Sequence, residues 1–181
     1  MKRAALLVTL SIVFAAFSSC KSNGPTPTQQ AGFAAPAASP SPVKATGYVT
    51  DDAKVIDEST RKQLETTLAT LKERKKIDFA VVTVRSTGDT SVRDQSLALA
   101  RQRKNDSIEE NASGLLLLVA IDDRQWHIQI SRNLESSLTN EILTSLSTPM
   151  TDSFRQKQYS EGILKYVNAL IAKLEQLPKN P

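Results

Sequence analysis

The segment 114–135, GLLLLVAIDDRQWHIQISRNLE, constrains the fold most, because it combines a buried strand, a tight turn and a second strand. Residues 115–121 form an uninterrupted apolar run, which is typical of a central strand covered on both faces. Asp122 and Asp123 follow this run, and short carboxylates favour turns. From Trp126 to Ser131 apolar and polar residues alternate, as in an antiparallel strand covered on one face. We therefore predict a β-hairpin at the centre of the domain.

The sequence on both sides of the hairpin predicts alternating strands and helices. Residues 77–84 read as a strand, which follows a helix that Asp57 caps and that runs to about Arg74. Ser91 opens a second helix that reaches residue 103 or 104, and Asp94 completes a capping-box-like pair. Residues 105–113 are polar and irregular.

After the hairpin, which returns through residues 133–134, two more helices are predicted. Thr139 caps a short helix that Pro149 stops or bends. The last helix covers residues 160–177 and carries one apolar stripe. Strands joined by helices favour a right-handed crossover, and we predict a three-layer α/β/α sandwich with a small mixed sheet.

Several stretches resemble the TPM-domain family, which includes thylakoid-lumen photosystem II repair proteins and membrane-anchored or exported bacterial proteins. Besides the hairpin, they are residues 47–56 (GYVTDDAKVI), 77–84 (IDFAVVTV), Leu138 with Thr139, Phe154, and 159–163 (YSEGI). The resemblance spans roughly residues 47–174. It implies the same fold, a role in envelope protein assembly or repair, and divalent-metal binding by acidic loop residues in some members.

The amino terminus reads as an export signal with a lipidation site. Lys2 and Arg3 precede an apolar core, and small residues lead to Cys20, the only cysteine. The apolar stretch is shorter than the ~20 residues that span a bilayer. The pattern resembles a bacterial lipobox, with Phe17 in place of the usual Leu, so residues 1–19 are a predicted signal peptide and Cys20 a predicted carrier of fatty acyl chains such as palmitate. The alternative is a secreted protein in which Cys20 is incidental.

Residues 20–46 form a predicted tether, because proline, serine and alanine replace the apolar bulk that a core needs. At about 3 Å per residue such a segment holds a domain tens of ångströms from a membrane surface. Residues 47–177 are the predicted domain. We therefore expect a lipid-anchored protein of the cell envelope that faces the periplasm or the exterior.

Charge does not indicate a nucleic-acid-binding protein. Without Lys2 and Arg3 the chain has 21 basic and 19 acidic residues. The densest basic run, residues 72–76, lies at a predicted helix end, where cations favour the helix dipole. Without interleaved aromatic residues, and with an export signal, we expect no nucleic-acid partner.

Four acidic residues are candidate ligands for a cation. In open α/β sheets ligands bind beyond the carboxyl ends of the strands, and Asp51, Asp122, Asp123 and Glu135 are predicted to converge there as oxygen ligands for a hard cation such as Ca²⁺. The alternative for Asp122 and Asp123 is a turn, and for Asp51 a loop or cap residue.

The chain departs from the family pattern at several of these positions. Ala112-Ser113-Gly114 stands where the family commonly has Asp-Asn-Gly, and residues 129–135, QISRNLE, lack both glycines of the family's equivalent stretch. Asn140 replaces a frequent Asp. Missing carboxylates weaken cation binding, and Arg132 adds positive charge.

No catalytic group stands out. His127, the only histidine, is interpreted as a strand residue, since zinc needs several ligands at suitable spacing. Trp126 is interpreted as packing against a helix, with contact to a partner as the alternative. Two hypotheses remain. The first is a membrane-tethered, non-enzymatic adaptor that contacts an envelope membrane-protein complex, and the alternative is a metal-assisted phosphatase.

Overall fold

The computed structural model describes residues 45–106 and 113–177, within which four strands and five helices follow one another. The predicted signal peptide, Cys20 and all but the last two residues of the predicted tether lie outside these residues. The elements in chain order are β1 (Val49–Asp51), α1 (Glu58–Lys75), β2 (Ile77–Val84), α2 (Val92–Asp106), β3 (Ser113–Ala120), β4 (Gln125–Ile130), α3 (Arg132–Glu135), α4 (Asn140–Arg155) and α5 (Tyr159–Glu175).

The four strands form one mixed sheet in the order β1-β2-β3-β4. The first three strands are parallel, and β4 returns antiparallel to β3 after the turn at residues 121–124. In the hairpin Leu117 lies opposite Ile128 and Leu118 opposite His127. The carboxyl ends of β1, β2 and β3 therefore lie at one edge of the sheet, together with the start of β4.

Helices cover both faces of the sheet, because successive side chains of a strand point to opposite sides. On one face Phe79, Val81 and Leu117 join the apolar stripes of α1 and α5 in the larger core. On the other face Val82 and Leu118 pack with α2. β2 and β3 are buried almost throughout, as their continuous apolar sequences predict. The three-layer α/β/α sandwich is confirmed.

Two details of the helices differ from the expectation. The chain after β4 does not remain extended but forms the short helix α3. Pro149 does not stop α4, which continues to Arg155 with Pro149 inside it. Pro149 is exposed, so the carbonyl that loses its intrahelical hydrogen bond is able to meet water. The helix continues because Met150 and Ser153 beyond the proline are buried.

The caps that the sequence predicts are present. Asp57 accepts a hydrogen bond from the backbone N–H of Thr60 at 2.8 Å, and Ser91 and Asp94 bond reciprocally at the start of α2. At the end of α1, Lys76 adopts the left-handed region and donates its N–H to the carbonyl of Lys72. No helix among the described residues is both long and apolar enough to cross a membrane.

Tyr166 carries a polar atom that the core does not satisfy. Its ring is fully buried on α5 and packs edge-on against Trp126, with ring centroids 5.5 Å apart. The hydroxyl has no hydrogen-bond partner among the described residues, and burial raises the pKa of Tyr166. Because an unsatisfied buried hydroxyl is destabilising, we expect Tyr166→Phe to increase the free energy of unfolding by about 1 kcal/mol. Chemical denaturation tests this, and a loss of stability would show that the hydroxyl has a partner.

Candidate functional site

Three loops at one edge of the sheet form a rim, which we call the loop rim. It consists of residues 52–57 after β1, residues 85–91 after β2 and residues 121–124 between β3 and β4. Of the four predicted ligands, Asp51, Asp122 and Asp123 lie at this edge. The expected position beyond the strand carboxyl ends is therefore right for three of the four carboxylates.

Asp51 closes the loop that leads from β1 to α1. Its carboxylate accepts hydrogen bonds from the backbone N–H groups of Val55 and Ile56, at 3.1 and 3.0 Å. It also accepts one from the hydroxyl of Thr83, the residue beside it on β2. Thr83 is fully buried, and its carbonyl accepts from the N–H of Asp52 at 3.0 Å. The two oxygens of Asp51 thus accept backbone N–H groups that would otherwise lack hydrogen-bond partners.

Asp123 likewise fixes loop conformation, because its carboxylate connects the hairpin turn to the loop after β2. One oxygen accepts from the hydroxyl of Ser86 at 2.8 Å. The other accepts from the N–H of Thr87 at 2.8 Å and from its hydroxyl at 3.2 Å. These bonds, chiefly that from the Thr87 N–H, lower the pKa of Asp123 and keep the carboxylate ionised. The hairpin turn is thereby fixed to the loop after β2.

Asp122 and Glu135 occupy different environments. The side chain of Asp122 is exposed and makes no hydrogen bond to a described residue, while its backbone N–H donates to the carbonyl of Arg85 at 2.8 Å. Glu135 ends α3, which follows β4. Because β4 runs antiparallel to the other strands, Glu135 lies at the opposite edge of the sheet, beside the start of β3. The expectation that all four carboxylates converge was wrong for Glu135.

The donor set does not fit a dedicated Ca²⁺ site. Ca²⁺ takes six to eight oxygen ligands, whereas both oxygens of Asp51 and Asp123 already accept backbone and hydroxyl donors. Within residues 45–106 and 113–177, no group of three or more His, Cys, Asp or Glu side chains is arranged to hold a metal ion. A cation at the loop rim stays a prediction.

Sequence reasoning missed the hydroxyl groups that organise the loop rim. Thr83, Ser86 and Thr87 supply hydroxyl donors to the two carboxylates. The available signal was the run from Val82 to Thr87, in which hydroxyl residues lie near the end of a buried strand and just after it. That run predicts a polar loop, but it does not indicate which carboxylate the hydroxyls meet.

Most exposed side chains of the loop rim are charged, with both signs interspersed. The charged ones are Asp52, Lys54, Asp57, Arg85, Asp89, Asp122 and Arg124. Beneath them, the two bonded carboxylates hold the loops in place. The loop rim is therefore a fixed polar surface with alternating charge.

His127 and Trp126 lie on β4, as interpreted from the sequence. His127 is half-buried, and its pKa is lowered first by burial and then by the nearby Arg93 of α2, while a hydrogen bond with Gln129 opposes the shift. Trp126 packs on Tyr166 but keeps part of its surface exposed. The packing interpretation of Trp126 is confirmed.

The stability that Asp123 contributes should depend on pH. A carboxylate whose pKa is lower in the folded than in the unfolded state stabilises the fold above its unfolded value, near 3.8, and this contribution is lost as the pH falls through the folded pKa. We expect Asp123→Asn to lower the free energy of unfolding by about 1–2 kcal/mol at pH 7. At a pH of about 2.5 this difference should shrink, and denaturation at both pH values measures it. An equal deficit at both would contradict the ionised-carboxylate account.

The sandwich and its loop rim define a class of small α/β domain that occurs in known proteins. The family model of the TPM domain matches residues 49–173. A search of curated proteins gives no significant match. Because the family model covers more than half of the chain, the chain belongs to the TPM-domain family.

Solved structures of bacterial proteins are similar to the chain. The N-terminal domain of a protein from P. gingivalis is 30% identical, with a TM-score of 0.64 over 72% of this chain and 83% of that one. The BA42 protein of Bizionia argentinensis is 14% identical, with a TM-score of 0.58 over 69% and 86%. The N-terminal domain of cg2496 from Corynebacterium glutamicum is 16% identical, with a TM-score of 0.55 over 77% and 88%. The last two show the same fold.

Proposed function

We propose that this TPM domain is a non-enzymatic adaptor, which uses the loop rim to dock onto a membrane-protein complex of the cell envelope during assembly or repair. The observation that carries the proposal is the use of Asp51 and Asp123 as hydrogen-bond acceptors within the fold. Carboxylates that accept hydrogen bonds from loop residues in this way make the loop rim rigid. Such loops present a preorganised surface, and preorganisation reduces the entropy lost on binding.

The charges of the loop rim suit a polar protein surface. Arg85 and Arg124 are exposed beside Asp89 and Asp122, and interspersed charges favour a partner that carries the complementary pattern. Complementary charges speed association and exclude wrong partners more than they add affinity. An adaptor that exchanges partners during assembly benefits from these properties.

The second candidate is a metal-assisted phosphatase, which the name of the matching family model suggests. Of the three predicted ligands at this end of the sheet, Asp122 is the one whose side chain makes no hydrogen bond to a described residue. It is the predicted ligand most available to a cation or a reacting group. Hydrolytic metal sites use two to three protein ligands, whereas no group of three or more His, Cys, Asp or Glu side chains within the described residues is arranged to hold a metal ion, and the adaptor is therefore favoured.

The proposed location at the cell envelope follows from the amino-terminal sequence. A lipid on Cys20 and a tether of residues 20–46 would place the domain at a bacterial membrane, facing the periplasm or the exterior. Two acyl chains give stable membrane anchoring. Mass spectrometry of the mature protein tests this, because an unmodified Cys20 would contradict it.

Photo-crosslinking of the full chain in its native membranes tests the adaptor role. A photo-reactive amino acid is placed at Asp89 or Arg124, both exposed on the loop rim, and at Glu65, which is exposed on α1, as the control. We expect the two rim positions to crosslink one membrane protein and the control position not to. Equal crosslinking from all three positions, or none from the rim, would contradict the proposal.

Titration calorimetry of the full chain with Ca²⁺ and Mg²⁺ tests the cation that the sequence predicted. If a cation binds at the loop rim, Asp122→Asn should weaken binding, whereas Glu135→Gln should not, because Glu135 lies at the opposite edge. A weaker affinity in both variants would contradict a cation site confined to the loop rim.

A further inference from the structure

The two outer strands of the sheet, β1 and β4, differ in how well their free sides are protected against pairing with another strand. β1 is only three residues long, and short edge strands resist pairing. β4 is six residues long, QWHIQI, and has no lysine, acidic residue or proline. Natural proteins usually protect an edge of this length with charges, proline or a bulge, so the free edge of β4 calls for a functional reason.

The register shows which backbone groups of β4 face outward. Ser131 donates its N–H to the carbonyl of Gly114, so residues 125, 127 and 129 bond to β3 in the alternating antiparallel pattern. The N–H and C=O groups of Trp126, Ile128 and Ile130 therefore point away from the sheet. Within the described residues only the Ile130 carbonyl has a hydrogen-bond partner there, the side-chain amide of Gln129 at 3.4 Å.

Side chains on both faces of this edge set the chemistry of a strand that would pair with it. On the α5 face Trp126 and Ile130 are half-buried and leave apolar surface beside the free backbone. On the α2 face are His127 and Gln129, with Arg93 near His127. An added strand would meet apolar surface on one face and polar surface on the other.

An exposed arginine flanks the edge at each end, with an exposed acidic residue, Asp122 or Glu135, two or three positions away. Arg124 precedes β4 and Arg132 follows it, and both side chains are exposed. The neighbouring Asp123 directs its carboxylate at residues 86 and 87, toward β2 and away from this edge. An acidic residue at each end of an added strand is able to pair with one of these arginines.

A second copy of the chain is disfavoured in the two-fold register that pairs residues 126–130 of the two copies around Ile128. Arg124 of each copy, in the turn before β4, then comes near Arg132 of the other, at the start of α3. Like charges brought close together repel each other.

We propose that the free edge of β4 binds an extended segment of a partner protein as a fifth strand, with alternating apolar residues in the middle and an acidic residue at each end. Backbone hydrogen bonds to Trp126, Ile128 and Ile130 supply affinity, and the side-chain positions supply specificity, as in other cases of strand addition. Arg124 belongs both to this edge and to the loop rim, whereas the backbone groups of Trp126, Ile128 and Ile130 lie outside the rim, and the proposal does not depend on the rim's function.

The test is selection of peptides by the full chain from a library of random nonapeptides. We expect enriched peptides to alternate β-branched and polar residues and to carry Asp or Glu at both ends. The double variant Arg124→Glu with Arg132→Glu should bind them at least about tenfold more weakly. The control, Arg74→Glu with Arg155→Glu, changes the net charge equally at exposed sites on α1 and α4 and should bind normally.

A second pair of variants tests the backbone contact. Ile130→Pro removes an outward N–H at a place where an edge strand tolerates proline, and Ile130→Ala removes similar side-chain bulk but keeps the N–H. We expect the proline variant to lose peptide binding and the alanine variant to retain most of it. Failure to enrich peptides, equal binding by all variants, or a β4-mediated dimer in sedimentation would overturn the proposal.

Discussion

Asp51→Ala is expected to lower the free energy of unfolding of the full chain by about 3 kcal/mol. The carboxylate accepts bonds from the N–H groups of Val55 and Ile56 and from the buried hydroxyl of Thr83. Each buried or half-buried donor that loses its partner costs roughly 1 kcal/mol or more. Urea denaturation followed by circular dichroism measures the difference.

Asp122→Ala is the matched control for this prediction. It removes a carboxylate from the same edge of the sheet, but this side chain is exposed and makes no hydrogen bond to a described residue. We expect a change within about 0.5 kcal/mol, as for most surface substitutions. If Asp122→Ala destabilised the fold as much as Asp51→Ala, the division into structural and free carboxylates would be wrong.

Gly162→Ala is expected to destabilise the fold by about 2 kcal/mol, although alanine is the better helix former. Gly162 lies on α5 where it crosses α4, and an added Cβ would come within 2.9 Å of the Phe154 ring and 3.1 Å of the Met150 carbonyl. Overpacking of this kind costs about 1–3 kcal/mol, which exceeds the gain in helix propensity.

Gly114→Ala provides the comparison, because its added Cβ would meet only the Asp78 carbonyl at 3.5 Å, an ordinary contact. Thermal denaturation of both variants distinguishes them. We expect Gly162→Ala to unfold several degrees below the parent chain and Gly114→Ala to unfold close to it. The reverse order would show that α4 and α5 cross less closely than these distances require.

Much of the fold was predictable because burial leaves a strong pattern in the sequence. The apolar runs of β2 and β3 and the stripe on α5 appear in the structure where the sequence placed them. The caps at Asp57 and Ser91 were equally clear, since few residue types bond the free N–H groups of a helix start. Pro149 does not end α4, because residues beyond it pack against α5.

The site was less predictable, because it depends on which groups meet across the sheet. The sequence placed Asp123 in the turn after a strand and Asp51 in the segment before the first helix, but it did not indicate that Thr83 and Thr87 would bond them. Glu135 was misplaced because the antiparallel strand β4 carries the chain back to the opposite end of the sheet before α3 begins. Position along the chain fixes the edge of the sheet only when the direction of each strand is known.

The most direct test of the central claim is hydrolysis of p-nitrophenyl phosphate by the full chain with Mg²⁺ or Ca²⁺. If the rim carboxylates hold the loops in place for docking, the rate of hydrolysis should equal the rate in buffer that contains the same cation but no protein. Asp122→Asn makes the test decisive, because the exposed Asp122 side chain supports no described contact. Turnover by the parent chain that disappears in this variant, at an unchanged free energy of unfolding, would contradict the adaptor account and establish the phosphatase.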